Sequence, residues 1–203
     1  MIDLQNSFSP LGEKVRMRGV KTMEEKLKSD LLQAIQTKAV VRGQRTLASG
    51  KKSDFYIDGK QVTLDPHGLL LVGKAILSML QGQKIDAIGG PTLGADPMAA
   101  AVSLLSSQTG HPVKAFIVRK EAKKHGMQKM IEGPALVAGD RVVMVEDVIT
   151  TGGSVLNAIK EVEALGCQVV KVICLVDREQ GGAELLAPYQ YSPIFTLRDL
   201  GIR

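Results

Sequence analysis

Two adjacent carboxylates followed by hydroxyls and glycines stand in the second half of the chain, in Arg141-Val-Val-Met-Val-Glu-Asp-Val-Ile-Thr-Thr-Gly-Gly-Ser-Val155. Val142 to Val145 is a short run rich in β-branched residues, which predicts a buried parallel strand. Glu146 and Asp147 fall where that strand is expected to end, and Val148 and Ile149 follow. Thr150, Thr151, Gly152, Gly153 and Ser154 then open an amphipathic helix with Val155, Leu156, Ile159, Val162 and Leu165 as its apolar positions. A strand, a glycine- and hydroxyl-rich turn and a helix start make an anion site. Free amides point out of the helix, the macrodipole favours negative charge, and glycine lets a phosphate come close to the backbone. Carboxylates just upstream repel a bare phosphate, so they need another task, and vicinal sugar hydroxyls or a hydrated magnesium ion suit them. The stretch therefore asks for a phosphate with a diol beside it, which is a ribose 5-phosphate.

Elements elsewhere must position these residues. Residues 1–21 are polar with scattered Lys and Arg and read as a loose arm or an extended start, leaving 22–203 as a single domain. Thr22 and Glu25 have capping-box spacing, and Leu27, Leu31, Leu32 and Ile35 make a helical stripe. Residues 46–58 read as two short strands around a Ser-Gly-Lys turn. Asp65 and Pro66 set the N-cap and first position of another helix, with Leu70, Ile76, Met79 and Leu80 expected inward. Strands at 87–89, 113–118, 142–145 and 169–176 then alternate with helical segments, including 97–105. That alternation predicts an α/β fold with a mostly parallel sheet flanked by helices.

In an open parallel sheet, ligands sit at the carboxyl ends of the strands. Four loops qualify: 90–96, 119–133, 146–154 and 177–182. Loop 119–133 is long and cationic, with Arg119, Lys120, Lys123, Lys124 and His125, and reads as a lid whose cations meet a departing anion. The Gly90-Pro-Thr-Leu-Gly94 turn can cradle a second phosphate cluster. Arg178, at the end of the last predicted strand, can fork onto a substrate carboxylate.

The bulk composition agrees with an ordinary globular chain. The 203 residues are 44% hydrophobic and 23% charged, enough for one well-buried core. No apolar run approaches the ~20 residues that span a bilayer, and the N-terminus lacks a signal-peptide pattern. Cys167 and Cys174 lie beside or within an apolar strand and read as buried reduced thiols. The expected compartment is the cytoplasm. The net charge of +5, with only 3% aromatic residues, suits small polyanionic substrates better than nucleic acid.

The string Val145-Glu-Asp-Val-Ile-Thr-Thr-Gly-Gly-Ser154 looks like the phosphoribosyl-diphosphate (PRPP) signature of type I phosphoribosyltransferases. From about residue 42 to 200 the chain resembles the orotate phosphoribosyltransferase branch. The strings that carry this are Arg119-Lys-Glu-Ala-Lys-Lys-His-Gly126, Asp177-Arg-Glu-Gln-Gly-Gly182, Ser49-Gly-Lys-Lys-Ser53 and Phe195-Thr-Leu-Arg-Asp-Leu200. The resemblance implies the type I fold, with a small hood built from N- and C-terminal segments. It implies transfer of ribose 5-phosphate from PRPP to N1 of orotate, with magnesium held mainly by the substrate and by Glu146 or Asp147. By the same match, Glu146 and Asp147 hold the ribose hydroxyls, and PRPP also contacts Val148, Ile149 and the 5-phosphate loop from Thr150 to Ser154. Arg119, Lys120, Lys123 and His125 contact the diphosphate, with Lys123, His125 and Asp147 as catalytic residues. Thr150, Arg178, Phe55 and Tyr56 border orotate. The lid reaches into a neighbouring subunit, implying a homodimer, with no nucleic acid or membrane as partner. Two positions depart from some members, which carry lysines where this chain has Gly94 and Ala48, leaving Lys51 or Lys52 as substitutes. A purine-specific phosphoribosyltransferase and a PRPP-sensing, nucleic-acid-binding regulator stand as alternatives.

Overall fold

The computed structural model of the chain describes residues 24–46, 52–121 and 130–202. The N-terminal arm, the Ser-Gly-Lys turn and the centre of the cationic loop, with Lys123 and His125, lie outside the described residues. A first helix, α1, covers 24–34 and widens into a π-helical turn at Ile35–Ala39. Its stripe is as expected: Leu31 and Ile35 are fully buried, and Leu27 and Leu32 pack against them. Strands β1 (Val40–Thr46) and β2 (Lys52–Ile57) form an antiparallel hairpin that stays apart from the main sheet. The chain end returns to this region, with Leu200 and Ile202 in the same core as Leu31 and Ile35. Gln36 Nε2 also donates to the Leu200 carbonyl at 3.4 Å. N- and C-terminal segments thus build the expected hood.

The main sheet runs β5-β4-β3-β6-β7-β8. Its strands are β3 (Ala87–Pro91), β4 (Lys114–Val118), β5 (Ile131–Glu132), β6 (Arg141–Ile149), β7 (Gln168–Asp177) and β8 (Tyr191–Thr196). Every pairing is parallel except β4 with β5. Strand β6 shows why its sequence reads as a continuous apolar run. Val143 and Val145 enter a core shared with α1, α3 (Pro66–Met79) and α4 (Ala95–Ser106). Val142 and Met144 enter a second core beneath α5 (Gly153–Glu163) and α6 (Gly182–Leu186). Both faces are covered, as for a parallel sheet between helix layers.

Four expectations change. Strand β6 runs on to Ile149, because Val148 and Ile149 continue the ladder opposite Val176 and Asp177, so Glu146 and Asp147 lie within the strand. Leu165 lies beyond α5 and is exposed, while Val155, Ala158, Ile159 and Val162 form the buried face. On α3 and at its C-cap, Ile76 and Leu80 are buried and Met79 packs on the core as expected, but Leu70 is exposed and Leu71 and Val72 are buried beside it. Strand β8 has no counterpart among the strands expected from the sequence. It carries Pro193 and sits at the edge of the sheet, where a missing N–H is tolerated.

Candidate active site

Strand β6 delivers its two carboxylates into a cavity of about 570 Å³ at the carboxyl ends of the central strands. Glu146 is 9% exposed and Asp147 5%. Ladder pairing fixes the backbone here, and the side chains bond locally: the Asp147 amide donates to Glu146 Oε1 at 3.3 Å, and the Val148 amide to Asp147 Oδ1 at 2.9 Å. Burial first, and the neighbouring Asp147 charge second, push the Glu146 carboxyl up to about 9. Glu146 therefore holds its proton near neutral pH, and the pair presents less negative charge than two free carboxylates.

The turn after β6 makes the helix start that the sequence predicts. Gly152 adopts φ 81°, a left-handed conformation that glycine accepts without strain, and it lies against Leu186 of α6. The first bond of α5 runs from the Leu156 amide to the Gly152 carbonyl at 2.9 Å, so the amides ahead of it have no partner within the helix. Ser154 lines the cavity, and so do Asn157 and Glu161 farther along the same helical face. Thr151 is exposed and Thr150 half-buried. The Ile149 side chain is buried in the second core, so only its backbone faces the site; its carbonyl accepts from the Arg178 amide at 2.8 Å.

Opposite the carboxylates lies the 90–96 turn. Thr92 bonds through its amide to the Val118 carbonyl at 3.0 Å and through its hydroxyl to Asp96 at 2.8 Å. The Thr92–Leu93 peptide is cis. A Cβ at Gly94 would meet the Glu146 and Asp147 carboxylates, so a side chain there requires both carboxylates to shift. Leu93 of this turn also borders the cavity and is exposed. Arg119 and Lys120 line the same cavity. Arg119 is partly engaged, 3.5 Å from Glu132 and bonded to the Glu121 carbonyl at 3.2 Å.

One strand over, the end of β7 meets the hairpin. The Arg178 guanidinium lies 5.2 Å from the Phe55 ring, and its side chain is almost fully buried with no hydrogen-bond partner for Nε. Desolvation pulls its pKa below the ordinary guanidinium value. An unpartnered buried donor is costly, and here it points to a ligand acceptor. Tyr56 is close enough to act on the charge of Arg178. Beneath, Asp177 accepts from the Glu179 amide at 2.7 Å, which fixes the turn that carries Arg178. Phe55, Tyr56 and Arg178, more than 120 residues apart, thus share one place.

The sequence reading missed Lys60. It opens α2 (Lys60–Thr63), a four-residue helix, and its ammonium lies 2.9 Å from Asp147 Oδ2 and 3.9 Å from Asp58 Oδ1. A charged residue after Phe55 and Tyr56 carried no periodic signal, and Asp58-Gly59-Lys60 reads as an ordinary turn. Asn157 and Glu161 were legible in principle, since they follow Ser154 at helical spacing.

Against known proteins, the family model for the phosphoribosyl transferase domain matches residues 58–192. An orotate phosphoribosyltransferase of Nostoc sp. is 46% identical over 176 residues, covering 86% of this chain and 85% of its own. That of Streptomyces coelicolor is 44% identical, covering 82% and 93%. The chain belongs to the orotate phosphoribosyltransferase family. The crystal structure of the Mycobacterium tuberculosis H37Rv orotate phosphoribosyltransferase in complex with PRPP superposes with a TM-score of 0.73 at 35% identity, covering 87% of this chain and 99% of that one. For an orotate phosphoribosyltransferase family member, the cavity gathers Arg119, Lys120, Glu146, Asp147, Val148 and Ser154 of the expected site. Arg178, Phe55 and Tyr56 form a separate cluster, joined to it through the Ile149 carbonyl. Among the described residues no helix is long and apolar enough to cross a membrane.

Proposed function

We propose that the protein transfers the 5-phosphoribosyl group of PRPP to N1 of orotate, giving orotidine 5′-phosphate and diphosphate on the de novo route to UMP. The observation that carries this reading is a buried carboxylate pair sharing one cavity with a glycine-rich helix start and three cations, Lys60, Arg119 and Lys120, with the Arg178 donor one strand away. Glu146 and Asp147 take the ribose hydroxyls, and the turn from Thr150 to Ser154, with the backbone of Val148 and Ile149 leading into it, takes the 5-phosphate. Arg178 takes the orotate carboxylate, with Phe55, Tyr56 and Thr150 around the ring.

In the reaction, the bond between the anomeric carbon and the diphosphate oxygen breaks and its electron pair leaves with the diphosphate. Orotate N1 forms the new carbon–nitrogen bond and gives up its proton, which leaves with the diphosphate or to solvent. Positive charge grows on the ribose and negative charge on the leaving group, so the protein needs no nucleophile of its own. Catalysis rests on positioning and on cations that meet the leaving charge, here Arg119, Lys120, Lys123 and His125. The donor set fits magnesium carried in by the substrate. Glu146 and Asp147 offer oxygens, and no group of three or more metal-binding side chains gathers among the described residues. Bound magnesium neutralises phosphate charge. Lys123 and His125 serve the neighbouring subunit's site in a homodimer. Residues 22–203 form one catalytic domain working in the cytoplasm, and the partners are these small molecules and a second copy, not nucleic acid or membrane.

Mixing the protein with PRPP, magnesium and orotate tests this directly. The orotate absorbance is expected to fall only when PRPP is present, as orotidine 5′-phosphate accumulates. Unchanged orotate together with diphosphate release on hypoxanthine or adenine would overturn the base assignment.

A further inference from the structure

Lys60 has no part in the assignments above, yet the segment that carries it is built against Asp147. The Asp58 amide is tied to the Ala39 carbonyl at 2.9 Å, and the Asp58 carboxylate accepts from the Lys60 amide at 3.3 Å and from Gln61 Nε2 at 3.1 Å. This sets the start of α2. Gly59 passes so close that a Cβ there would lie 2.8 Å from the Asp147 Cβ and 2.9 Å from its Oδ2. The Lys60 side chain then lines the cavity and donates to Asp147 Oδ2 at 2.9 Å. The ligand this cavity suits is a polyanion, and the Asp147 carboxylate at its floor opposes its entry. Arg119 is already paired with Glu132 and with the Glu121 carbonyl. Among the described residues, Lys60 is the cation that touches the carboxylate pair itself.

We propose that Lys60 is a positioning residue for PRPP: its ammonium offsets the Asp147 charge and fixes that carboxylate to accept ribose hydroxyls, so that it acts on PRPP affinity rather than on orotate or on the chemical step. This rests on the PRPP reading of the cavity. The attraction is short-range and only partly exposed to solvent, the setting in which a charged hydrogen bond contributes most.

The test is calorimetric binding of PRPP with magnesium to wild type, Lys60→Met and Lys60→Arg, together with steady-state kinetics. Lys60→Met is expected to weaken PRPP binding about 10- to 100-fold, while kcat at saturating PRPP and the KM for orotate stay within about threefold. Lys60→Arg is expected to recover most of the affinity. Lys114→Met, which breaks the remote 2.7 Å pair with Asp140, is the control for a merely structural ion pair and should leave PRPP binding unchanged. Unchanged or tighter PRPP binding in folded Lys60→Met, or a fall in kcat with affinity intact, overturns the proposal. Because the binding experiment contains no base, it reads Lys60 even if orotate is not the acceptor. Failure of wild type to bind PRPP would instead overturn the cavity reading and this proposal with it.

Discussion

The carboxylate end of β6 and the Arg178 cluster at the end of β7 are adjacent in the sheet yet built in different ways. The first is one uninterrupted string, Glu146 to Ser154, held by ladder pairing with β7 as far as Ile149 and then by the start of α5. Its groups are partnered internally: Glu146 with the Asp147 amide, Asp147 with Val148 and Lys60. The second is assembled from a hairpin residue, Phe55, and a strand-end residue, Arg178, and it leaves a buried guanidinium nitrogen unpartnered. A preformed, self-satisfied half suits the ligand part common to all phosphoribosyl transfers. An unsatisfied half suits discrimination between bases, because a ligand lacking the matching acceptor leaves the buried donor unpaired.

Variants can break that contrast from either side. The largest effect is expected from Asp147→Asn, which keeps shape but removes the charge held by Lys60. Initial rates should fall by about 10²- to 10³-fold at every orotate concentration, with the far-ultraviolet circular dichroism unchanged. A rate within threefold of wild type would remove Asp147 from the site. Next in size, Arg178→Met should raise the KM for orotate about 10- to 100-fold and leave kcat at saturating orotate nearly intact, as expected for a charged pair lost from binding. An equal rise in the KM for PRPP would merge the two halves into one.

The smallest effect concerns stability and has a definite sign. The Glu146 carboxyl is raised from 4.5 to about 9 in the folded chain, chiefly by burial. Below about pH 4.5 both folded and unfolded chains hold this proton. Between there and about pH 9 only the unfolded chain releases it, so the contribution of Glu146 to stability falls as pH rises. Glu146→Gln should therefore stabilise the protein at pH 8 by on the order of 1–3 kcal/mol, or a few degrees in Tm, while lowering turnover. A variant melting below wild type at pH 8 but not at pH 4 would refute the burial account.

The same contrast explains what was legible in the sequence. The β6 string could be read because chemistry and periodicity coincide within one segment, and Val142, Val145, Val155 and Ile159 each take their expected burial. The extra length of β6 could not, since Glu146 and Asp147 interrupt an apolar pattern that the ladder with β7 nevertheless continues. The exposure of Leu70 on α3, with Leu71 and Val72 buried beside it, reflects a segment apolar on several sides, where packing against α4 helps to choose the face. Strand β8 was hidden by Pro193, a residue that edge position excuses. Lys60 was hidden because its partner, Asp147, lies 87 residues away and no spacing rule links them. Arg178 was legible from its place at a strand end, whereas Phe55 and Tyr56 were named through resemblance, and the meeting of the three depends on how the hairpin docks.

The separability of the two halves is tested most directly by titrating PRPP with magnesium, in the absence of any base, into wild type and Arg178→Met. Equal dissociation constants within about twofold are predicted, because the carboxylate strand and helix start are complete without the arginine. A loss of PRPP affinity of about tenfold or more in Arg178→Met would contradict the account.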